Sequence, residues 1–162
     1  MWYIWDIITK KDSLWVRWVH GVYLTDCSLW TRVTPRSVSW CFRSILAVRD
    51  VARNFVHYLI GDGSRTLLWH DPWNPEGILY NKLGEHHYSI RYRPLDTVSS
   101  ILHQGQWSID TMGYVPLLDA WRALPSIVLH DEDGVSWCAD STGRFILKST
   151  YLQFFSHYPK PP

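Results

Sequence analysis

Eleven tryptophans in 162 residues constrain this chain more than any other feature of its sequence. An indole has an apolar body that is costly to leave in water and an N–H that needs an acceptor once buried. A chain so rich in Trp builds its core from large aromatics, or holds rings out for nucleobases or a neighbouring domain. Most of these Trp stand beside other apolar residues at helical or strand spacing, which favours core or interdomain packing. The Trp15/Trp18 and Trp69/Trp73 pairs could stack bases, but by the same reasoning they read first as core.

The length fits one domain, or one domain with a loose appendage, and suffices to bury roughly two-thirds of the unfolded surface. Hydrophobic residues make up 46% and charged residues 19%, which argues against disorder of the whole chain. The net charge of +1 hides an asymmetry. Residues 1–60 hold eight Lys/Arg against four Asp, and residues 61–162 hold eight against eleven acids. The basic half can touch phosphate, although it lacks the dense basic stripe of a dedicated nucleic-acid binder. Cys27, Cys41 and Cys138 have no paired spacing, so neither a disulfide framework nor a secreted life is expected. The first residues lack the pattern of a signal peptide, and no apolar run approaches the ~20 residues that span a bilayer. The expectation is an intracellular protein, nuclear or cytoplasmic, with no membrane partner.

Helical periodicity dominates the first third. Trp2, Trp5 and Ile8 share one spacing, and Asp12 or Ser13 can cap a second helix over 14–24 with Leu14, Trp15, Trp18, Val19 and Val22 as its apolar stripe. Pro35 suits the first turn of a third helix reaching about Phe55, with Val38, Cys41, Phe42, Ile45, Val48 and Ala52 buried. On that helix Arg36 and Arg43 would share one flank and Arg49 and Arg53 another, giving four candidate phosphate contacts. Strand-like residues around Gly61-Asp62-Gly63-Ser64 predict a β-hairpin near 57–69, and a similar pattern around Asp140 to Gly143 predicts a second near 135–147. Short helices are expected over 95–103 and 114–124, ended by Gly105 and Pro125, and a last one over 148–156. Residues 81–94 show no period.

No catalytic or metal constellation is complete. The cysteines lack zinc spacing, and His86-His87 are neighbours whose side chains diverge. Ser64, His70 and Asp71 could imitate a hydrolase triad, but there is no Gly-x-Ser-x-Gly and no oxyanion hole to nominate. Asp71 reads better as a loop carboxylate that accepts backbone N–H bonds. Gly61-Asp62-Gly63 lacks the Lys-Ser/Thr of a phosphate loop, and Asp131-Glu132-Asp133-Gly134 lacks the alternating ligands of a calcium loop and reads as a solvated turn. The expectation is therefore no catalytic residue, no cofactor and no metal.

Several stretches together carry a family likeness. Ser13-Leu14-Trp15-Val16-Arg17-Trp18-Val19-His20 comes first, then Ile60-Gly61-Asp62-Gly63 with Thr66-Leu67-Leu68-Trp69-His70-Asp71-Pro72-Trp73. Trp137 with Thr142-Gly143-Arg144-Phe145 and Lys148-Ser149-Thr150-Tyr151 completes the set. In this order and spacing, from about Trp2 to His157, the chain resembles plant LINE-type (non-LTR) retrotransposon proteins, in the segment between the reverse-transcriptase domain and the zinc-binding region. The resemblance implies a role in copying element RNA into DNA, with the polymerase aspartates upstream and a Cys/His zinc module downstream. No Tyr-x-Asp-Asp occurs here, so no catalytic or metal residue carries over. Leu68 stands where the family usually has Phe, and Ile146-Leu147 where Ser/Thr-Val is common. What the resemblance implies is a connecting segment that packs on a polymerase and lies along template RNA or target DNA.

The expected fold is α+β: a helical, basic segment over 1–56, an α+β segment over 57–157 with two small β-hairpins, short helices and long loops, and an exposed Pro-rich tail over 158–162. The expected function is a non-catalytic remnant of a reverse-transcriptase polyprotein, at most nucleic-acid-associated through Arg36, Arg43, Arg49 and Arg53. The alternatives are a protein-interaction module whose Trp-rich faces dock on a polymerase domain or on another copy, and a relic without a selected role.

Overall fold

The computed structural model describes residues 1–83, 93–108 and 117–157, without the side chains of 154–157. The fold is α+β with its first three helices at the N-terminus and two small antiparallel sheets of two strands each. Helix α1 (Trp2–Ile8) is followed by α2 (Leu14–Tyr23) and α3 (Trp40–Arg53). Strand β1 (Val56–Leu59), α4 (Leu79–Leu83), β2 (Leu102–His103), β3 (Gln106–Trp107), α5 (Leu118–Ala123), β4 (Gly134–Trp137) and α6 (Leu147–His157) complete the order.

Local sequence explains the helix ends. After α1 the Lys10 amide bonds the Ile7 carbonyl and the Lys11 amide bonds that of Asp6, with Lys10 in the left-handed region at φ 51°. This is the Schellman arrangement, in a position where glycine is usual. The Ser13 hydroxyl accepts the Val16 amide at 3.2 Å and so caps α2. Helix α3 begins later than Pro35 suggested, because the Ser39 hydroxyl caps it by accepting the Phe42 amide at 3.2 Å. Arg36 therefore lies in the loop before α3 rather than on it.

The buried stripes differ in detail from the expected ones. On α1 the inward positions are Ile4 and Ile7, with Trp5 and Ile8 half-buried and Trp2 exposed. On α2 only Val16 and Val19 are buried, while Leu14, Trp18 and Val22 are exposed. On α3 Leu46 is inside, whereas Cys41 and Val48 are exposed. These helices carry more apolar residues than one contact face can take, so periodicity alone does not choose the buried edge.

Neither expected hairpin forms. Strand β1 pairs antiparallel with β4 instead, from Val56 opposite Trp137 to Leu59 opposite Gly134. The turn amides of Gly61 and Gly63 are taken at 2.7 and 2.9 Å by the Asp133 carboxylate, which also accepts the Arg65 amide at 2.8 Å. Asp133 is thus a buried clasp and not part of a solvated turn, although Asp131 and Glu132 are exposed. A Cβ on Gly61 would stand 2.5 Å from the Glu132 backbone, and Gly63 combines φ +74° with a similar approach to Ser99, so both must be glycine. The chain beyond this turn pairs with 96–98, where the Leu68 amide bonds the Asp96 carbonyl and the Val98 amide bonds that of Thr66.

Within the expected helix over 95–103 only a single 3-10 turn, Val98–Ser100, forms. Strands β2 and β3 follow as a true two-residue hairpin, its turn made by Gln104 and Gly105 at φ 51° and 75°. The stretch over 114–124 is helical from Leu118, then tightens into a 3-10 turn over Leu124–Ser126. Residues 84–92, which include His86 and His87, the tail 158–162 and the beginning of the stretch over 114–124 lie outside the described residues.

One hydrophobic core runs across the 56/57 boundary, joining Ile4, Val19 and Phe42 to Leu68, Leu124 and Trp137. Trp137 is fully buried against the rings of Trp5, Phe55 and Phe145 at centroid distances of 5.8, 5.7 and 5.0 Å. Its indole N–H donates to the Thr150 hydroxyl at 2.8 Å, which in turn donates to the Ile146 carbonyl. Trp30, Trp69 and Trp73 are buried as well, and Trp73 stacks on Trp107 at 5.9 Å.

Candidate functional site

The four candidate arginines divide by environment. Arg36 and Arg43 are exposed, Arg43 one turn into α3 and beside Trp40, whose ring is 83% exposed. Trp40 and Arg43 are three residues apart on one helix and so lie on the same side of it. Arg49 points the other way in function: its Nη1 donates to the Leu29 carbonyl at 3.1 Å and to the Arg32 carbonyl, which ties the loop after α2 to α3. Its Nε is buried with no hydrogen-bond partner among the described residues. Arg53 is half-buried and pairs with Asp50 at 3.8 Å. Sequence spacing had grouped the four by helix flank, but the carbonyls that occupy Arg49 come from a loop about twenty residues upstream and leave no periodic signal.

A second concentration of polar chemistry lies inside the fold, against a cavity of about 380 Å³. Trp30 donates its indole N–H to the Tyr58 hydroxyl at 2.9 Å, and that hydroxyl faces Asp71 Oδ1 at 3.5 Å. Asp71 Oδ2 accepts the Leu67 amide at 2.9 Å, in line with its reading as a backbone-accepting loop carboxylate. Ser28 donates to the His70 carbonyl at 2.8 Å and receives the Trp30 amide, while His70 Nδ1 pairs with the Thr31 hydroxyl at 2.7 Å. Tyr58, Asp71 and Ser28 all line the cavity, as do Lys10 and Arg65, which are exposed. Lys10 spans that rim by donating its ammonium to the Arg65 carbonyl at 3.2 Å.

Burial sets the protonation of this network. It pushes the Asp71 carboxyl up to about 6, with the Leu67 amide and the Lys10 charge acting against it. It lowers the His70 imidazole to about 4, and it raises the Tyr58 phenol well above its ordinary value, with the Asp71 charge adding to the effect. At neutral pH Asp71 is an anion with no cation in direct contact among the described residues, His70 is neutral and Tyr58 is a proton donor.

Of the three residues that could imitate a hydrolase triad, Ser64 is exposed and its amide is bonded to the Asp62 carboxylate at 2.9 Å, whereas His70 and Asp71 are buried. Among the described residues no three or more His, Cys, Asp or Glu side chains gather as a metal site would require. Cys41 and Cys138 are exposed thiols and Cys27 is half-buried, its thiol pushed up by burial and by Asp26. No helix among the described residues is long and apolar enough to cross a membrane. Comparison with known protein families, with curated proteins and with solved structures yields no match.

Proposed function

We propose that this chain is a non-catalytic connecting domain of a LINE-type retrotransposon protein that holds single-stranded RNA or DNA against its α3 face. The observation that carries the reading is the exposed Trp40 ring beside the exposed Arg43 guanidinium, with exposed Arg36 in the loop before. Stacking on a free aromatic face joined to phosphate contact is how single strands are held without regard to sequence. Arg49 and Arg53 serve the fold on this account and make no phosphate contact.

The residues that carry the resemblance lie at joints of this fold. Gly61 and Gly63 meet Asp133, Ile60 accepts the His130 amide, Asp71 and Trp73 anchor the loop after them, and Trp137 meets Thr150. A set of motifs that holds together one fold is what a connecting domain needs when it has no chemistry of its own.

A second reading, a protein-interaction module, is favoured by Trp2, Trp18 and Val22, which leave a half-exposed apolar surface on α1 and α2. Titration of the purified chain with structured RNA and single-stranded DNA at low and high salt, read by Trp fluorescence, separates the two. Saturable binding that weakens with salt is expected, because counterions are released from phosphate. Salt-insensitive self-association without binding would favour the interaction module instead.

A further inference from the structure

The cavity beside Asp71 joins a buried polar side to an exposed, charged mouth. Its buried wall presents the Asp71 carboxylate, the Tyr58 hydroxyl and the Ser28 hydroxyl, and its exposed rim presents the cations of Lys10 and Arg65. A carboxylate can accept about four hydrogen bonds. Asp71 Oδ2 receives one amide and Oδ1 has the Tyr58 hydroxyl only at 3.5 Å, while the nearby Ser28 hydroxyl, which also favours the anion, donates its proton to the His70 carbonyl, so acceptor capacity remains on the carboxylate. The rest of the lining mixes apolar and aromatic residues such as Leu24, Leu29 and Trp30 with His20, Thr66 and Asp133, the last already bonded to three backbone amides.

Lys10 supplies an independent observation. It occupies the left-handed position that ends α1, where glycine would be less strained, and its side chain reaches across the rim to the Arg65 carbonyl. Its ammonium stands at the cavity mouth.

A ligand that satisfies both ends must carry hydrogen-bond donors at one end and an anion at the other. A purely cationic ligand is opposed by the rim and a purely anionic one by Asp71. The Watson–Crick edge of guanine offers two adjacent N–H donors, and a carboxylate receives them side by side. Adenine offers one donor beside an acceptor that Asp71 would repel. We propose that this cavity is a guanine-nucleotide site, in which Asp71 receives the N1–H and N2–H of the base and Lys10 and Arg65 hold the phosphate. The same chemistry fits a free nucleotide or a guanine turned out of a single strand. The proposal is independent of the α3 surface.

The test is calorimetric titration of the full chain with guanosine monophosphate, adenosine monophosphate, inorganic phosphate and a short guanine-containing single strand. Guanosine monophosphate is expected to bind at least about tenfold more tightly than the adenine nucleotide, in keeping with the discrimination a bidentate contact provides. Asp71→Asn retains an oxygen for the Leu67 amide and so keeps the fold, but it should abolish that preference. Lys10→Gly should raise thermal stability, because glycine suits the cap, and yet weaken nucleotide binding about tenfold. Arg36→Ala with Arg43→Ala should leave mononucleotide binding unchanged, so that failure here and failure of the α3 reading are told apart. Tighter binding of the strand than of the mononucleotide, lost in Asp71→Asn, would assign the site to a turned-out base, and the reverse order to a free nucleotide. Equal affinity for both mononucleotides, binding of phosphate alone, no binding at millimolar nucleotide, or full affinity in folded Asp71→Asn would each overturn the proposal.

Discussion

Asp133 accepts the Gly61 amide at 2.7 Å across 72 residues of chain, and this contact decides how the β structure is wired. With the same carboxylate taking Gly63 and Arg65, three turn amides are satisfied by one side chain from the far half of the molecule. Strand β4 begins at the next residue, Gly134, so the clasp also sets its register against β1.

Asp133→Asn replaces one of these oxygens by an amide group that cannot accept, leaving a buried donor facing a donor. A loss of about 2–3 kcal/mol is expected, since hydrogen bonds to charged groups contribute about 1.5–3 kcal/mol each. Urea unfolding should show a lower midpoint with an unchanged slope. Asp131→Asn, at an exposed position in the same run, should change stability by no more than about 0.5 kcal/mol.

The Trp137 indole N–H depends on the Thr150 hydroxyl for its hydrogen bond. Thr150→Val keeps the shape but leaves the indole N–H buried and unpaired, at a cost of about 1–3 kcal/mol. Thr150→Ser retains the hydroxyl and should lose less. The comparison of the two by thermal unfolding separates the hydrogen bond from the packing.

Asp71 and His70 act on stability in opposite directions as pH falls. The folded Asp71 carboxyl, held up at about 6 against an ordinary 3.8, binds protons more readily than in the unfolded chain, so acidification through 6 to 4 stabilises. The folded His70, held down at about 4 against 6.5, resists protonation, so acidification through 6.5 to 4 destabilises. Each effect is on the order of 3 kcal/mol at its full extent. The two contributions nearly cancel between pH 4 and 6 in the native protein. In Asp71→Asn stability should fall steeply with acid over this range, and in His70→Asn it should rise; denaturant midpoints measured at steps of pH check both slopes.

The helices could be read from the sequence because their signals are local. Of the two caps that position offered, Asp12 and Ser13, it is Ser13 that caps α2, and Asp71 accepts a backbone amide as its place before Pro72 suggested. The strand partners could not be read. Residues 57–60 and 135–137 looked like halves of two separate hairpins, and nothing near either one announces that a carboxylate at 133 would hold the first turn open and join the strands to each other. The real hairpin, at Gln104-Gly105, was hidden because Gln is an uncommon residue at positive φ. The arginines show the same limit: Arg36 and Arg43 are exposed on the surface, while the bonds of Arg49 to the Leu29 and Arg32 carbonyls exist only once the chain has folded back.

That division gives a stability test of its own. Arg49→Ala removes the donor from two carbonyls and should cost about 1–3 kcal/mol. Arg36→Ala and Arg43→Ala, at exposed positions, should each change stability by less than about 0.5 kcal/mol.

The salt dependence of single-strand binding by the native chain and by the Arg36→Ala/Arg43→Ala double variant tests the α3 face most directly. Each phosphate contact contributes about 0.7 to the slope of log affinity against log salt for a single strand, so losing two should flatten that slope by about 1.4. Replacing Trp40 by Ala should lower affinity at every salt concentration and leave the slope unchanged, because stacking releases no counterion. Equal slopes for the native chain and the folded double variant, or no binding by the native chain at low salt, would contradict a nucleic-acid role for the α3 face.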